Sequence, residues 1–219
     1  MAIDERNGMT DTPSTSGPLL QLLANGLSLW IRSQCDEVGD LNLGLNGSAL
    51  QLLRGHLKGV TLAARFVTFQ GLPIQRAELR SGPLDLNIKP SQPGQMLQLQ
   101  NSFDISGSVV MRGSDLNRAL LTQRWRWLGD WLAEQLMGLS TLGNLEIDND
   151  TLVLTSPLVG QREVVRKEFR LDAAEGTLRI TRFNDDSCVL LPMDPNIRIL
   201  EAHLKAGQLH LVGQAAVTP

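Results

Sequence analysis

The stretch LQLQNSFDISGSVVM, residues 97–111, carries a long unbroken alternation of apolar and polar side chains. The odd positions hold Leu97, Leu99, Phe103, Ile105, Val109 and Met111, and only Asn101 and Gly107 weaken that apolar side. Alternation with a period of two is typical of a strand with one buried face. One strand of this length would span roughly 50 Å, far more than an average strand, and long strands coil with their native twist. The stretch therefore predicts an elongated, curled sheet.

The residues before this stretch predict further strands, with an interruption at Gly82 and Pro83. Apolar residues lie at odd positions up to Leu79 and at even positions from Leu84 onward. One inserted residue accounts for the change of phase, and a β-bulge is the simplest structure that inserts one. We therefore predict a bulge that returns the side chain of Leu84 to the core. Beyond residue 143 the strand pattern resumes, with turns predicted at 148–150, 172–176 and 205–208.

Three segments have the features of helices. Apolar residues recur at helical spacing over 18–34, and Gly47 with Ser48 opens a predicted single-turn helix that ends at Leu53. The main helical segment runs over 114–139, with Ser114 as its predicted N-cap and a break allowed near Thr122. Together these patterns predict an α+β fold in which a long, curled antiparallel sheet wraps around a long helix.

The composition is that of a globular protein with a substantial core. Of the 219 residues, 42% are hydrophobic and 20% are charged, which is ordinary for a folded domain. Residues 1–17 are rich in small and polar types, so we expect a disordered leader there and a single domain over 18–219. The net charge of −3, without a basic tail, argues against nucleic acid as a partner.

Nothing at the start of the sequence matches a secretory signal. The opening residues lack a basic region followed by an apolar run, and the most apolar segment, 19–31, is too short to span a bilayer. Cys35 and Cys188 lie far apart and form no disulfide framework of the kind small secreted domains need. We therefore expect a cytoplasmic protein.

The sequence contains no motif that carries catalysis or holds a cofactor. His56, His203 and His210 match no metal-binding spacing, and neither a phosphate-binding loop nor a dinucleotide-binding glycine motif is present. The segment GLSTLG at 138–143 is one residue too long for a nucleophile elbow. We therefore predict no catalytic residues, no metal site, no cofactor and no enzyme activity.

Two clusters suggest contact with lipid or membrane. Residues 51–80 hold five basic side chains against one acid, which favours anionic headgroups, although solvated strand faces, which need no ligand, explain the pattern more simply. Residues 124–131 combine tryptophan with arginine, side chains that suit a membrane interface; alternatively, Trp125 joins the core stripe of the helix. The candidate contact residues from both clusters are Trp125, Trp127, Trp131, Arg124, Arg126, Arg54 and Lys58.

Four motifs resemble a known family. They are LLRG before a strand that opens with Gly-Val, the strand end at Gly71, the charge alternation before SGPLDLN, and the helix start DLNRAL at 115–120. In these motifs the chain, over roughly 19–217, resembles the LmeA-like phospholipid-binding family. The resemblance implies phospholipid binding without catalysis and a tubular lipid-binding architecture, in which curved strands wrap a helix around an apolar groove. The motifs concern packing and turns, so they transfer no lipid-contact residue.

These observations favour non-catalytic binding of phospholipid or another acyl lipid in an apolar groove, with transfer of that lipid as an open extension. Peripheral association with an anionic membrane would accompany it. The alternative is a structural or assembly protein that holds a partner protein in the same groove or at a sheet edge, because an apolar groove accepts both kinds of ligand. A third hypothesis is a hydrolase that acts on lipid.

Overall fold

Fourteen strands and three helices have described bounds in the computed structural model, which describes residues 18–48, 50–51, 54–88, 97–158, 163–183 and 187–218. The helices are α1 (Pro18–Gln34), α2 (Gly113–Leu120) and α3 (Arg126–Met137). The strands are β1 (Glu37–Asn46), β2 (His56–Leu57), β3 (Gly59–Phe69), β4 (Leu72–Ser81), β5 (Leu84–Ile88), β6 (Leu97–Leu99), β7 (Phe103–Arg112), β8 (Asn144–Asp148), β9 (Thr151–Pro157), β10 (Val164–Ala174), β11 (Thr177–Arg182), β12 (Cys188–Leu190), β13 (Ile197–Lys205) and β14 (Gln208–Val217). The described chain is therefore α+β.

The strands form three sheets in which every described pairing is antiparallel. The largest sheet has six strands in the order β1-β3-β4-β7-β14-β13, and a five-stranded sheet has the order β12-β11-β10-β9-β8. The short strands β2, β5 and β6 form the third sheet. Leu43, Leu62 and Leu79 lie directly opposite one another on neighbouring strands, so alternation gives the six-stranded sheet one continuous apolar face.

Two separate groups of elements cover the two ends of that apolar face. At one end, α2, α3 and the five-stranded sheet enclose the main core, whose buried members include Leu120, Leu136, Leu154, Phe169, Leu204 and Leu209. At the other end, Leu45, Leu57 and Leu84 form a smaller core, against which α1 packs Leu23 and Leu27. The apolar face is thus covered twice, by elements that come from distant parts of the chain.

Glycines lie where the six-stranded sheet passes from one covered region to the other. Gly107 of β7 lies directly opposite Gly213 of β14. A methyl group at Gly107 would lie 2.0 Å from the carbonyl oxygen of Glu78, so no residue with a Cβ fits without a backbone shift. In β13 the register also shifts at this level, between Ile199 and Glu201. Interior glycines and bulges are features that allow strands to bend.

Several local predictions are confirmed. The first helix occupies Pro18–Gln34, as its spacing predicted. The three predicted turns carry left-handed backbone, at Asn149, at Glu175 with Gly176, and at Ala206 with Gly207. Turn-type residues in short connections between alternating strands are therefore a dependable signal in this chain.

The prediction of one strand over 97–111 is wrong. The segment forms β6 and β7, which belong to different sheets, and the chain leaves strand geometry around Asn101. The backbone N–H of Gln100 donates to the carbonyl oxygen of Asp85 at 2.9 Å, and Asn101 Nδ2 donates to Asp85 Oδ2 at 2.6 Å. These bonds hold the crossing segment against β5, while β7 continues between β4 and β14.

Gly82 and Pro83 do not form a bulge within one strand. The chain changes sheets there, because β4 belongs to the six-stranded sheet and β5 pairs with β2 and β6. The change of phase is nevertheless real, since the side chain of Leu84 is only 6% exposed. The break is held by the backbone N–H of Gly82, which donates to the carbonyl oxygen of Asp104 at 2.8 Å.

The long helix predicted over 114–139 is two helices, α2 and α3. Ser114 is not the N-cap, because α2 begins at Gly113 with Arg112 in the capping position. The break near Thr122 is confirmed: Thr122 Oγ1 donates to the carbonyl oxygen of Ala119 at 2.6 Å, and the chain turns before α3 begins. This backbone contact by a threonine hydroxyl competes with continuation of the helix.

The predicted single-turn helix at 47–53 is described only in part. Ser48 and Gln51 bind each other reciprocally, each backbone N–H donating at 3.2 Å to the other residue's side chain. This is a capping box, which supports a helix start at this position. Residues 49, 52 and 53 lie outside the described residues.

The close approach at Gly107 predicts a large cost for any side chain there. We expect Gly107→Ala to lower the free energy of unfolding by about 2 to 3 kcal/mol, because the Glu78 carbonyl is backbone and cannot move alone. Gly26→Ala is the matched control, since nothing lies within 4 Å of a Cβ at that position in α1. It should raise stability by about 0.5 to 1 kcal/mol through helix propensity. Urea unfolding of both variants measures the difference, and equal stabilities would contradict the close approach of β7 to β4 at Gly107.

Candidate functional site

An apolar cavity of about 380 Å³ lies between α1 and the six-stranded sheet. Its walls include Leu27, Leu62, Leu79, Ile105 and Val217, and Ser81 alone is polar among the described residues that line it. Sites for small molecules typically enclose about 300 to 1,000 Å³ and are predominantly apolar. The cavity therefore has the size and character of a ligand site.

Local sequence explains why these side chains point into one space. In α1, Leu23, Leu27, Trp30 and Ile31 recur at the spacing that places residues on one face of a helix. On the sheet, residues of the continuous apolar face lie directly below that helix face. Leu62 and Leu79 sit on neighbouring strands opposite each other.

The face of α1 that lines the cavity is not packed to the density of a core. No α1 side chain among Gln21 and residues 23–34, the part of the helix whose side chains the structure describes, is fully buried. Protein interiors normally leave few voids larger than a water molecule. An amphipathic helix above an unfilled apolar space therefore indicates a place for a ligand, because filling that space would complete the packing.

The polar groups near the cavity offer little for catalysis. Ser81 Oγ accepts from the backbone N–H of Val60 at 2.8 Å and donates to the carbonyl oxygen of Gly82 at 3.0 Å. These backbone bonds occupy the hydroxyl and hold β4 to β3. A ligand in this space would meet apolar side chains almost everywhere.

A histidine-carboxylate pair lies outside the cavity. His56 Nδ1 is 2.6 Å from Asp85 Oδ1, and hydrogen bonds from His56 and then Asn101 hold the pKa of Asp85 below its usual range. Leu57 and Leu84, the neighbours of this pair, line the cavity, so alternation directs His56 and Asp85 to the opposite side of the small sheet. The contact joins β2 to β5 on the side of the small sheet that faces away from the cavity. Among the described residues, no group of three or more His, Cys, Asp or Glu side chains could hold a metal ion.

The predicted tryptophans differ in their surroundings. Trp125 Nε1 donates to the carbonyl oxygen of Gln70 at 2.8 Å, and both Trp125 and Trp131 are half-buried against the main core. Trp127 is 55% exposed, with its ring centroid 6.3 Å from that of Trp125. The alternative that Trp125 joins the core is therefore confirmed in part, since one edge of its ring also reaches the β3–β4 turn.

The predicted basic residues are not brought together. Arg124 is exposed and packs beside Gly71 in the β3–β4 turn, and Arg126 forms an ion pair with Asp130 at 3.3 Å. Arg54 and Lys58 lie at the opposite end of β3, which at about 3.3 Å per residue is roughly 30 Å away. The seven candidate residues thus fall into two surfaces. We call the one formed by Phe69, Arg124, Trp125 and Trp127 around the β3–β4 turn the aromatic tip.

Sequence reasoning missed the cavity. The helical spacing of α1 was visible, but a pattern of apolar residues predicts burial and does not distinguish a filled core from an open cavity. Trp30 was the fourth tryptophan and lay outside the candidate set. A usable signal was the absence of charged residues from 18–31, which is compatible with a helix that covers a ligand.

The fold and this cavity define an α+β protein with an apolar cavity of ligand size beneath a helix. The chain belongs to the LmeA-like phospholipid-binding family, whose model matches residues 15–214. This match confirms the resemblance seen in the sequence motifs. No curated protein and no solved structure gives a significant match. Among the described helices, none has both the length and the apolar character needed to cross a bilayer.

The buried position of Leu84 in the cavity wall gives a test of the register. Leu84→Asp should lower the free energy of unfolding by about 3 kcal/mol or more, because it buries a carboxylate without a partner. Asp85→Leu, one position along, alters the outer face of the small sheet and should cost far less despite the loss of the His56 contact. Thermal unfolding compares the two variants. Similar melting temperatures would show that the phase change at β5 is misplaced.

Proposed function

We propose that the protein binds phospholipid without catalysis and holds one acyl chain in the cavity under α1. The observation that carries this proposal is an unfilled cavity lined by apolar side chains in a member of a phospholipid-binding family. Each methylene removed from water contributes about 0.8 kcal/mol. Affinity should therefore rise with chain length until the cavity is full.

The arrangement of the sheet supports a tubular lipid-binding type of domain over 18–219. A curved sheet presents one apolar face, and α1 lies over the cavity on that face. In this proposal α1 is the helix that covers the apolar groove, whereas the sequence analysis expected the segment 114–139 in that role. The headgroup would remain outside, because the cavity lining carries no charged side chain.

Peripheral association with an anionic membrane is the second part of the proposal. The aromatic tip supports it, because exposed indole and phenyl rings bury apolar area in the interface while Arg124 reaches lipid phosphates. Arg126 contributes less charge, since Asp130 neutralises it. Lipid transfer would follow if the cavity fills and empties at that surface.

Filling the cavity with protein should exclude lipid. Ile105 projects into the cavity, whereas Asp104 is exposed on the opposite face of β7. We expect Ile105→Trp to carry less than about a fifth of the phospholipid that wild type carries, because an indole takes the space of several methylenes. Asp104→Trp is the matched control and should carry the wild-type amount. Organic extraction of purified protein followed by mass spectrometry measures both.

The same extraction addresses the rival functions. Extracts free of lipid, together with a protein that stays bound to the groove or a sheet edge, would contradict lipid binding and favour the structural alternative. Turnover of ester substrates that persists through repurification, and is lost in Ile105→Trp, would contradict the absence of catalysis.

The charge contribution of the aromatic tip can be measured separately. Arg124→Gln should weaken binding to anionic vesicles about fivefold at low salt and much less at high salt, since one basic residue near such a surface contributes about 1 kcal/mol that salt screens. Arg54→Gln removes the same charge from the opposite end of β3 and serves as the control. Vesicle flotation across a salt series is the measurement. A larger effect of Arg54→Gln would assign the membrane contact to the other surface.

A further inference from the structure

The side chains that line the cavity under α1 differ in exposure from one end to the other. Leu57 and Leu84 lie directly opposite each other on β2 and β5 and are the two buried members of the lining, at 3% and 6% exposed. Trp30 is 54% exposed, and every other lining residue is half-buried. The cavity therefore has a closed end at the small sheet and an open end at Trp30.

The closed end is backed by packed side chains. Leu57 and Leu84 form a buried cluster with Leu45, against which Leu23 and Leu27 of α1 also pack. Leu45 belongs to this cluster without lining the cavity, so it lies behind the wall. Packed interiors leave few voids larger than a water molecule. A chain that enters the cavity therefore stops at Leu57 and Leu84.

The lining offers a charged headgroup no partner. Ser81 is the one polar residue of the described lining, and its hydroxyl is already bonded to the backbone of Val60 and Gly82. A phosphate inside the cavity would lose its hydration without compensation. At the open end, the indole of Trp30 combines an apolar ring with a polar N–H, which suits the boundary between an acyl chain and its headgroup. The headgroup therefore belongs outside, at that end.

The volume of the cavity limits how much chain it can enclose. A methylene takes about as much space as a water molecule in the liquid, roughly 30 Å³. The cavity of about 380 Å³ is therefore filled by about twelve carbons of one chain. A phospholipid with two chains of that length would leave half of its apolar carbon in water.

We propose that the ligand enclosed by the cavity is a phospholipid with a single acyl chain, a lysophospholipid, whose methyl end lies against Leu57 and Leu84 and whose headgroup lies outside beside Trp30. The inference rests on lipid binding in the cavity, as proposed above. It adds the class of lipid, its orientation and the two residues that determine specificity for chain length. A phospholipid with two chains binds through one of them and keeps the other outside.

The limit on chain length is tested with a series of saturated lysophosphatidylcholines, each kept below the concentration at which it forms micelles. By calorimetric titration, each added methylene should tighten binding about fourfold up to about twelve carbons, where the gain should stop. Leu84→Ala removes about three carbons from the closed end and should move this plateau about three carbons longer, whereas Leu84→Phe should shorten it by about three. Leu45→Ala is the matched control, because it removes the same atoms from behind the wall.

The control should keep the wild-type plateau. If Leu84→Ala does not fold, Leu84→Val supplies the test, since it removes about one carbon at a smaller cost in stability and should move the plateau by about one carbon. A wild-type plateau in every folded Leu84 variant would overturn the closed end. An equal shift in Leu45→Ala would overturn it as well.

The orientation is tested by the quenching of tryptophan fluorescence by bromine on the bound chain. Lysophosphatidylcholine brominated near the carbonyl end of its chain should quench more strongly than the same lipid brominated at its methyl end, because the headgroup end lies beside Trp30. The difference should vanish in Trp30→Phe, since the other tryptophans do not line the cavity. Equal quenching of the wild type, or stronger quenching from the methyl end, would overturn the orientation.

The class of lipid is tested with ligands that share one kind of chain. Didecanoyl phosphatidylcholine should bind at most about fifteenfold more tightly than decanoyl lysophosphatidylcholine, because the cavity has room for only about two further methylenes. A gain of more than about a hundredfold would show that both chains are enclosed and would overturn the single-chain ligand. Binding of decanoate without binding of the lysolipid would overturn the phospholipid class. A wild-type chain that binds none of these lipids would overturn lipid binding itself.

Discussion

The close approach of β7 to β4 at Gly107 is the constraint on which the rest of the structure depends. Without a Cβ at this position, the two strands lie closer together than a residue with a side chain would allow, and Gly213 lies directly opposite on the next strand. The register of β13 shifts at the same level. Two different groups of elements cover the apolar face on either side of this level.

The cavity is a consequence of this division. The main core is closed by α2, α3 and the five-stranded sheet, all of which contribute buried leucines. At the other end, α1 covers the sheet without burying any of its described side chains fully. Dense packing on one side and an unfilled space on the other explain how one fold combines a stable core with an apolar cavity. The empty cavity lowers the stability of the region under α1, and a bound acyl chain would supply the missing packing there.

The aromatic and basic residues illustrate how a fold redistributes a cluster that is compact in sequence. Five candidate contact residues lie within 124–131, yet Trp131 turns toward the core, Arg126 is neutralised by Asp130, and only Arg124 and Trp127 remain fully available at the surface. Helical geometry causes this, because successive side chains point about a third of a turn apart. The fold also adds Phe69, which is exposed at the end of β3 beside the turn that Trp125 contacts.

The sequence by itself determined the local structure and the family. The helical spacing of 18–34, the turn residues at three hairpins and the phase change at Leu84 all depend on neighbours in the chain, so they could be predicted. The family motifs depend on the same local features. Tertiary structure alone decided that the alternation of 97–111 crosses from one sheet to another, that 114–139 divides into two helices, and that an apolar cavity lies under α1. These features depend on which surfaces meet in the folded protein. Alternation and helical spacing indicate that a face is apolar, but they do not indicate which element covers that face.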